Sequence, residues 1–249
     1  LGVIGLGAIG VQVANAAREL GMRVIGFDPQ LTVERAWQLS SHVQQALSLD
    51  ELFSKSDMIT VHVPLLDATR DTVNAARLAL LPKHGVVLNF SRDGIVDDDA
   101  VLQVLDSGKL HAYVTDFPSA KFLQAERVIA LPHLGASTLE AEENCAVMVA
   151  DNLRDFLEHG NIRNAVNFPN VKLPRAESSY RVAVANANVP NMLGQMTTAL
   201  AKAELNILDM INQSKGEVAY TMVDVASPVP ESTLEAIRSI KGVLNVRAL

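Results

Sequence analysis

The chain has 249 residues, 49% of them hydrophobic and 20% charged, with a net charge of -7; this is the balance of an ordinary globular protein with room for two or three cores. No stretch approaches the roughly 20 apolar residues of a membrane span, no charged-then-apolar leader precedes the first strand, and no basic face offers itself to nucleic acid, so a cytoplasmic protein without membrane or nucleic-acid partners is expected. The single cysteine, Cys145, excludes an internal disulfide framework, offers no metal-ligand cluster, and is expected to fill a helix face.

Through the first two-thirds, short β-rich runs alternate with segments of about helix length: LGVIG, MRVIGFD, MITVHVP, VVLNFS, HAYVTDF and RVIALPH. Alternation of this kind predicts βαβ winding. The runs are apolar at consecutive positions, as in strands covered on both faces, so the expectation is a Rossmann-type, doubly wound parallel sheet. Between the first run and the helix VQVANAARELG, Gly5, Gly7 and Gly10 spell G-x-G-x-x-G. Each glycine has a job there: a tight turn, close backbone approach to a pyrophosphate at the helix N-terminus, and close packing of helix on strand. Asp28 follows Gly10 by 18 residues, at the end of the second run. A carboxylate there accepts from ribose hydroxyls and repels a 2′-phosphate, which favours NAD over NADP. The plainer reading is a structural turn and a solvated aspartate.

Three further residues stand at strand ends, where ligands of open α/β sheets bind. His62, in MITVHVPLL, is expected to line the cofactor. Arg92, in VVLNFSRDGIV, can grip a carboxylate with two parallel hydrogen bonds, or else cap a nearby helix end. His133, in RVIALPHLGAST, lies after Pro132 and before a glycine-containing turn, which raises a general acid–base role above a structural one. Asp97, Asp98 and Asp99 read as the first turn of a helix rather than a metal site, and no metal is expected. His42, His84, His111 and His159 read as surface residues.

Next comes one long helix, with Ser137 and Glu140 at capping-box spacing, Leu139, Cys145, Val149, Leu153 and Phe156 at helical spacing, and Gly160 at its end. Residues 161–178 carry two prolines and no period, as an interdomain linker would. From Ser179 onward six basic and six acidic residues balance, so the whole charge excess lies in the first 178 residues. This tail orders as YRVAVAN, a helix with Met192, Met196 and Leu200 four apart, LNILDMI, EVAYTMVDV, the helix PESTLEAIRSI and VLNVRAL. That is βαββαβ, a split-βαβ, ferredoxin-like unit.

GLGAIG, Asp28, HVPL, LNFSRDG, VTDF and PHLGAST, in this order and spacing, resemble the D-isomer-specific 2-hydroxyacid dehydrogenases. The AVNFP linker and a tail that looks like an ACT domain narrow the resemblance to the branch oxidising D-3-phosphoglycerate to 3-phosphohydroxypyruvate in serine synthesis. The resemblance implies an NAD-binding domain at 1–136, a helix at 137–160 returning to a substrate lobe whose larger part would precede the glycine loop, a linker at 161–178 and an ACT regulatory domain at 179–249. It implies that the backbone of Ala8 and Ile9 meets the pyrophosphate, Phe90 and Ser91 lie on the nicotinamide side, Asp116 holds the carboxamide, and Gly135 and Ala136 border the cofactor. Arg92 would bind the substrate carboxylate and His133 would exchange the hydroxyl proton. Asn186, Asn188 and Asn206 would hold a serine effector between paired ACT units of a homodimer or homotetramer, Asn188 and Asn206 being readable instead as a helix cap and a turn. Three positions depart, one of them Asn186, where the resemblance leads to histidine. The family pattern D-V-F-x-x-E puts a glutamate where Lys121 stands, leaving Glu126 as a replacement partner for His133, and the usual Pro-Gly of the tail is Pro190-Asn191. Lys121 and the missing lobe keep open a non-catalytic, NAD-binding, amino-acid-sensing regulator; a dehydrogenase for another D-2-hydroxyacid, of glyoxylate or hydroxypyruvate type, is a further alternative.

Overall fold

A computed structural model describes residues 1–176 and 178–249; Glu177, inside the stretch read as a linker, lies outside them. The chain divides into two compact units, Leu1–Leu134 and Gly135–Leu249. In the first, the order is β1 (Gly2–Ile4), α1 (Ala8–Glu19), β2 (Ile25–Phe27), α2 (Val33–Gln38), β3 (Gln44–Gln45), α3 (Leu49–Ser54), β4 (Met58–Val61), α4 (Ala75–Leu80), β5 (Gly85–Asn89), α5 (Asp98–Asp106), β6 (Leu110–Thr115) and β7 (Val128–Ala130). The seven strands form one sheet in the order β3-β2-β1-β4-β5-β6-β7, every neighbouring pair parallel.

Consecutive apolar residues in a strand point to opposite faces, and here both faces are covered. Val3 joins Leu6, Val11, Ala14, Ala17 and Val24 under α1, while Ile4 joins Leu52, Phe53, Ile59, Val87, Val101 and Tyr113 on the other side. The edges differ from the sequence expectation. In β7, Ile129 is half exposed and Ala130 is exposed, because an edge strand has a neighbour on one side only. β3 is two glutamines without an apolar signal, recruited by pairing with Ile25 and Gly26.

Side chains cap most helices of this unit. Thr32, Ser48, Asn74 and Asp97 accept from backbone N–H groups at the starts of α2, α3, α4 and α5. The three aspartates 97–99 are thus the N-cap and first turn of α5. α1 has Gly7 at its N-cap and no side-chain cap, so its first-turn amides stay open.

The second unit runs α6 (Leu139–His159), β8 (Tyr180–Ala187), α7 (Met192–Lys202), β9 (Ile207–Lys215), β10 (Val218–Val225), α8 (Glu231–Arg238) and β11 (Val243–Ala248). Its strands form an antiparallel sheet ordered β11-β8-β10-β9. Val182, Val184, Val223 and Val225 pack on Met192, Met196, Leu200, Leu234 and Ile237 of α7 and α8. The opposite face, with Ala183, Tyr220 and Met222, is covered by Ile162, Val171 and Leu173. Residues 161–173 therefore lie against the sheet instead of running free, pinned by a bridge between Ile162 and Val171. Small alanines on that face admit the close approach.

Thr138, not Ser137, caps α6: its backbone is still extended and its hydroxyl accepts from the Ala141 N–H. None of the helix's residues is buried; Leu139, Val149 and Leu153 stay largely exposed, and so does Cys145, contrary to the packed stripe expected. Only the last turns are held. Phe156 packs on the sheet, Arg181 donates to the His159 carbonyl, and Arg247 donates to the Phe156 and Leu157 carbonyls, cations meeting the negative end of the helix dipole. No helix among the described residues is long and apolar enough to cross a membrane.

Candidate active site

The site is assembled at the carboxyl ends of the parallel strands of the first unit. After β1 the chain turns through Gly5 at φ +88, where an added Cβ would lie 2.6 Å from the His62 carbonyl oxygen. At Gly10 a Cβ would lie 1.9 Å from the Gly5 carbonyl oxygen, so turn and helix can approach only without side chains. Gly7 differs, because nothing stands within 4 Å of a Cβ there. Folding does not require glycine at Gly7, whereas close approach of a ligand to the exposed α1 terminus, with Ala8 and Ile9, does. Asp28 closes the loop from β2: Leu6 N–H donates to its Oδ2 and Gln30 N–H to its Oδ1, both at 2.8 Å. Each oxygen keeps lone pairs for a further donor.

After β4 and β5 a cavity of about 490 Å³ is lined by Ile9, His62, Leu65, Phe90, Ser91 and Arg92 among others. His62 Nε2 lies 2.9 Å from the Thr60 hydroxyl, and burial pushes its imidazole below the ordinary range. Asn89, which the sequence reading passed over, organises the next turn. Buried at the end of β5, it donates from Nδ2 to the Arg92 carbonyl at 3.0 Å and accepts at Oδ1 from Ser91 N–H at 3.1 Å. Ser91 Oγ donates to the Val63 carbonyl. The Arg92 side chain is exposed; Nη1 donates to the Ser91 carbonyl at 2.7 Å, and among the described residues it pairs with no carboxylate. It caps no helix.

After β6 and β7 stand Asp116 and His133. His133 Nδ1 lies 2.8 Å from Asp116 Oδ2, and the Phe117 ring lies beside the imidazole with centroids 4.4 Å apart. Asp116 is mostly buried, and its Oδ1 is out of solvent without a hydrogen-bond partner. A buried carboxylate oxygen left unpaired is costly, so it fits an acceptor waiting for an N–H of a bound group such as a carboxamide. Residues 1–135 match the family model described as D-isomer specific 2-hydroxyacid dehydrogenase, NAD binding domain.

The chain belongs to the D-isomer specific 2-hydroxyacid dehydrogenases. It is 34% identical, over its whole length, to the D-3-phosphoglycerate dehydrogenase of Haemophilus influenzae, of which it covers 62%. It is 30% identical, again over its whole length, to that of Escherichia coli K12, also covering 62%. The chain thus spans about three-fifths of the length of these curated relatives. The NAD⁺-bound 3-phosphoglycerate dehydrogenase of Entamoeba histolytica is similar in structure, with a TM-score of 0.56 and 27% identity over 67% of this chain and 54% of that one. The first unit is accordingly a dehydrogenase NAD-binding domain, and its open α1 terminus, Asp28 and the orphaned Asp116 oxygen fit that cofactor.

Lys121 is engaged by a carboxylate of α5. Its Nζ lies 2.7 Å from Asp99 Oδ1 in the first turn of α5, a contact that raises the lysine above its ordinary range. The carboxylate that meets His133 is Asp116, not Glu126. Gly135 and Ala136 belong to the second unit, in the exposed turn before α6.

The three asparagines of the tail do not converge within one copy. Asn186 is buried, with Nδ2 on the Ala187 carbonyl and Oδ1 unpartnered. Asn188 N–H donates to the Glu217 carbonyl and its Nδ2 to Gly216, whereas the Asn206 carbonyl accepts from Ala226 N–H. The eight residues of β10 lie between those two places, about 27 Å at roughly 3.4 Å per residue. Asn191 takes the left-handed conformation at φ +65, as asparagine readily does.

Proposed function

We propose that this protein binds NAD and takes part in the oxidation of D-3-phosphoglycerate to 3-phosphohydroxypyruvate, the entry to serine synthesis, in the cytoplasm. The observation that carries the reading is the carboxyl end of one parallel sheet bearing an open helix terminus, an Asp28 carboxylate with lone pairs to spare, a guanidinium at Arg92 that pairs with no carboxylate among the described residues, and a carboxylate-paired imidazole at His133. In this reading the first-turn amides of α1, with Ala8 and Ile9, hold the pyrophosphate, and Phe90 and Ser91 lie on the nicotinamide side. Arg92 binds the substrate carboxylate, and His133 takes the hydroxyl proton at Nε2. The bound nicotinamide supplies hydride acceptance. Pairing of His133 with Asp116 supports the catalytic reading over a non-catalytic regulator. The relatives named as phosphoglycerate dehydrogenases support this substrate over other 2-hydroxyacids.

In the same reading residues 179–249 are an ACT unit that pairs in a homodimer or homotetramer. Since Asn188 and Asn206 lie at opposite ends of the sheet, a serine site using both draws them from two copies. The test measures NADH formation with D-3-phosphoglycerate, D-lactate and D-glycerate as competing substrates, alongside calorimetry with serine up to millimolar concentration. Preference for phosphoglycerate, with oxidation of every acid lost on Arg92→Ala, supports the reading. Preference for another acid overturns the substrate, and absence of serine heat leaves the tail as an oligomerisation unit.

A further inference from the structure

We infer that Asp116 is the positioning residue of His133, doing from the adjacent strand end what the displaced glutamate position, occupied by Lys121, cannot do here. The two side chains are delivered by neighbouring parallel strands: Thr115 of β6 pairs with Ala130 of β7, so the residues following each strand emerge side by side. The aspartate cannot swing freely. Thr115 is fully buried and its hydroxyl accepts from Phe117 N–H at 3.0 Å, which fixes the turn containing Asp116. Phe117 in turn lies against the imidazole, so ring and carboxylate are held by the same two-residue bend. Lys121 does not compete, being paired with Asp99.

A neutral imidazole has one N–H and one acceptor nitrogen, and the partner of one nitrogen decides the state of the other. With the Asp116 carboxylate 2.8 Å from Nδ1, the proton resides on Nδ1 and Nε2 is left as the base. This reverses the preference of free imidazole, whose proton favours Nε2. Were Nε2 to take a substrate hydroxyl proton, with a bound nicotinamide supplying acceptance of the carbinol hydrogen and its electron pair, the Asp116 carboxylate would stabilise the resulting imidazolium in place. Only this last consequence rests on the proposed function; the tautomer does not.

The test is ¹⁵N NMR of the histidine-labelled 249-residue chain, at a pH where the His133 ring is neutral, with Asp116→Ala and Lys121→Glu as comparisons. The expected wild-type spectrum has a protonated Nδ1 and an unprotonated Nε2 at His133. Asp116→Ala is expected to return the ring to the Nε2–H form, and Lys121→Glu to leave it unchanged. An Nε2–H ring in the wild type, or a tautomer moved by Lys121→Glu, overturns the proposal; the wild-type spectrum decides even if Asp116→Ala does not fold. An Nδ1–H ring together with oxidation that survives His133→Gln upholds the positioning role and sinks the dehydrogenase mechanism instead, so the two failures are distinguishable.

Discussion

Arg181 and Asp224 stand opposite each other on β8 and β10, with Nε and Nη2 donating to the two carboxylate oxygens at 2.6 and 2.7 Å and both side chains out of solvent. The third arm of the guanidinium, Nη1, donates to the His159 carbonyl at the end of α6. Removing one partner strands a buried charge. Asp224→Asn is therefore expected to cost about 3–5 kcal/mol, and the double change Arg181→Met with Asp224→Leu to cost less than either single one. Urea unfolding followed by circular dichroism checks this; additive losses would mean that the pair is not coupled.

Gly10 and Gly7 make a contrast within one loop. Gly10→Ala pushes a methyl into the Gly5 carbonyl and is expected to destabilise the first unit by at least ~1–3 kcal/mol, the usual range for overpacking. Gly7→Ala meets open space at an ordinary φ of -73, so its stability is expected to stay within about 0.5 kcal/mol of wild type while NADH binding falls. Thermal unfolding and NADH fluorescence titration on both variants separate the two roles. Undiminished binding by Gly7→Ala would remove the pyrophosphate from that position.

Asp28 is expected to make the chain prefer NADH over NADPH, because its carboxylate accepts from a 2′-hydroxyl and repels a 2′-phosphate. Asp28→Ala should narrow the gap. Some of its effect will be structural, since the carboxylate also accepts from Leu6 and Gln30 N–H. Comparable affinities of the wild type for the two cofactors, titrated at one ionic strength, would refute the assignment.

Burial holds the His62 imidazole below its ordinary value of 6.5, so on acidification the unfolded chain takes up the proton first. The stability linked to this group is complete above 6.5 and declines as pH falls through that value toward the folded one. His62→Asn lacks the titration. The wild type's stability relative to this variant should fall on acidification, read as the difference in thermal midpoints across a pH series; a constant difference would show that His62 is hydrated in the folded state.

Much of this molecule is written locally. Runs such as LGVIG and MITVHVP can satisfy their apolar residues only between two helical layers, and Gly10 is required by a carbonyl five residues before it, that of Gly5. The tail's Met192, Met196 and Leu200 likewise announce the helix face that they bury. Partnership across strands is different in kind. Asp116 and His133 are 17 residues apart, and nothing in their spacing says that β6 and β7 will be neighbours in register; the sheet order decides it. Lys121 reads as a substitution in a catalytic motif until α5 brings the Asp97–Asp99 turn within reach of its ammonium. The stripe on α6 has the same helical period as a buried face, yet burial requires close packing on an opposing surface, and among the described residues Phe156 is the member of the stripe that joins a core cluster. Asn188 and Asn206, which the resemblance groups in one effector site, are held apart by the length of β10. Periodicity and turn chemistry act over a few bonds, so the sequence by itself determined the elements and the cofactor loop. Which charges and hydrogen-bonding groups meet depends on strand order, and that only the tertiary structure decided.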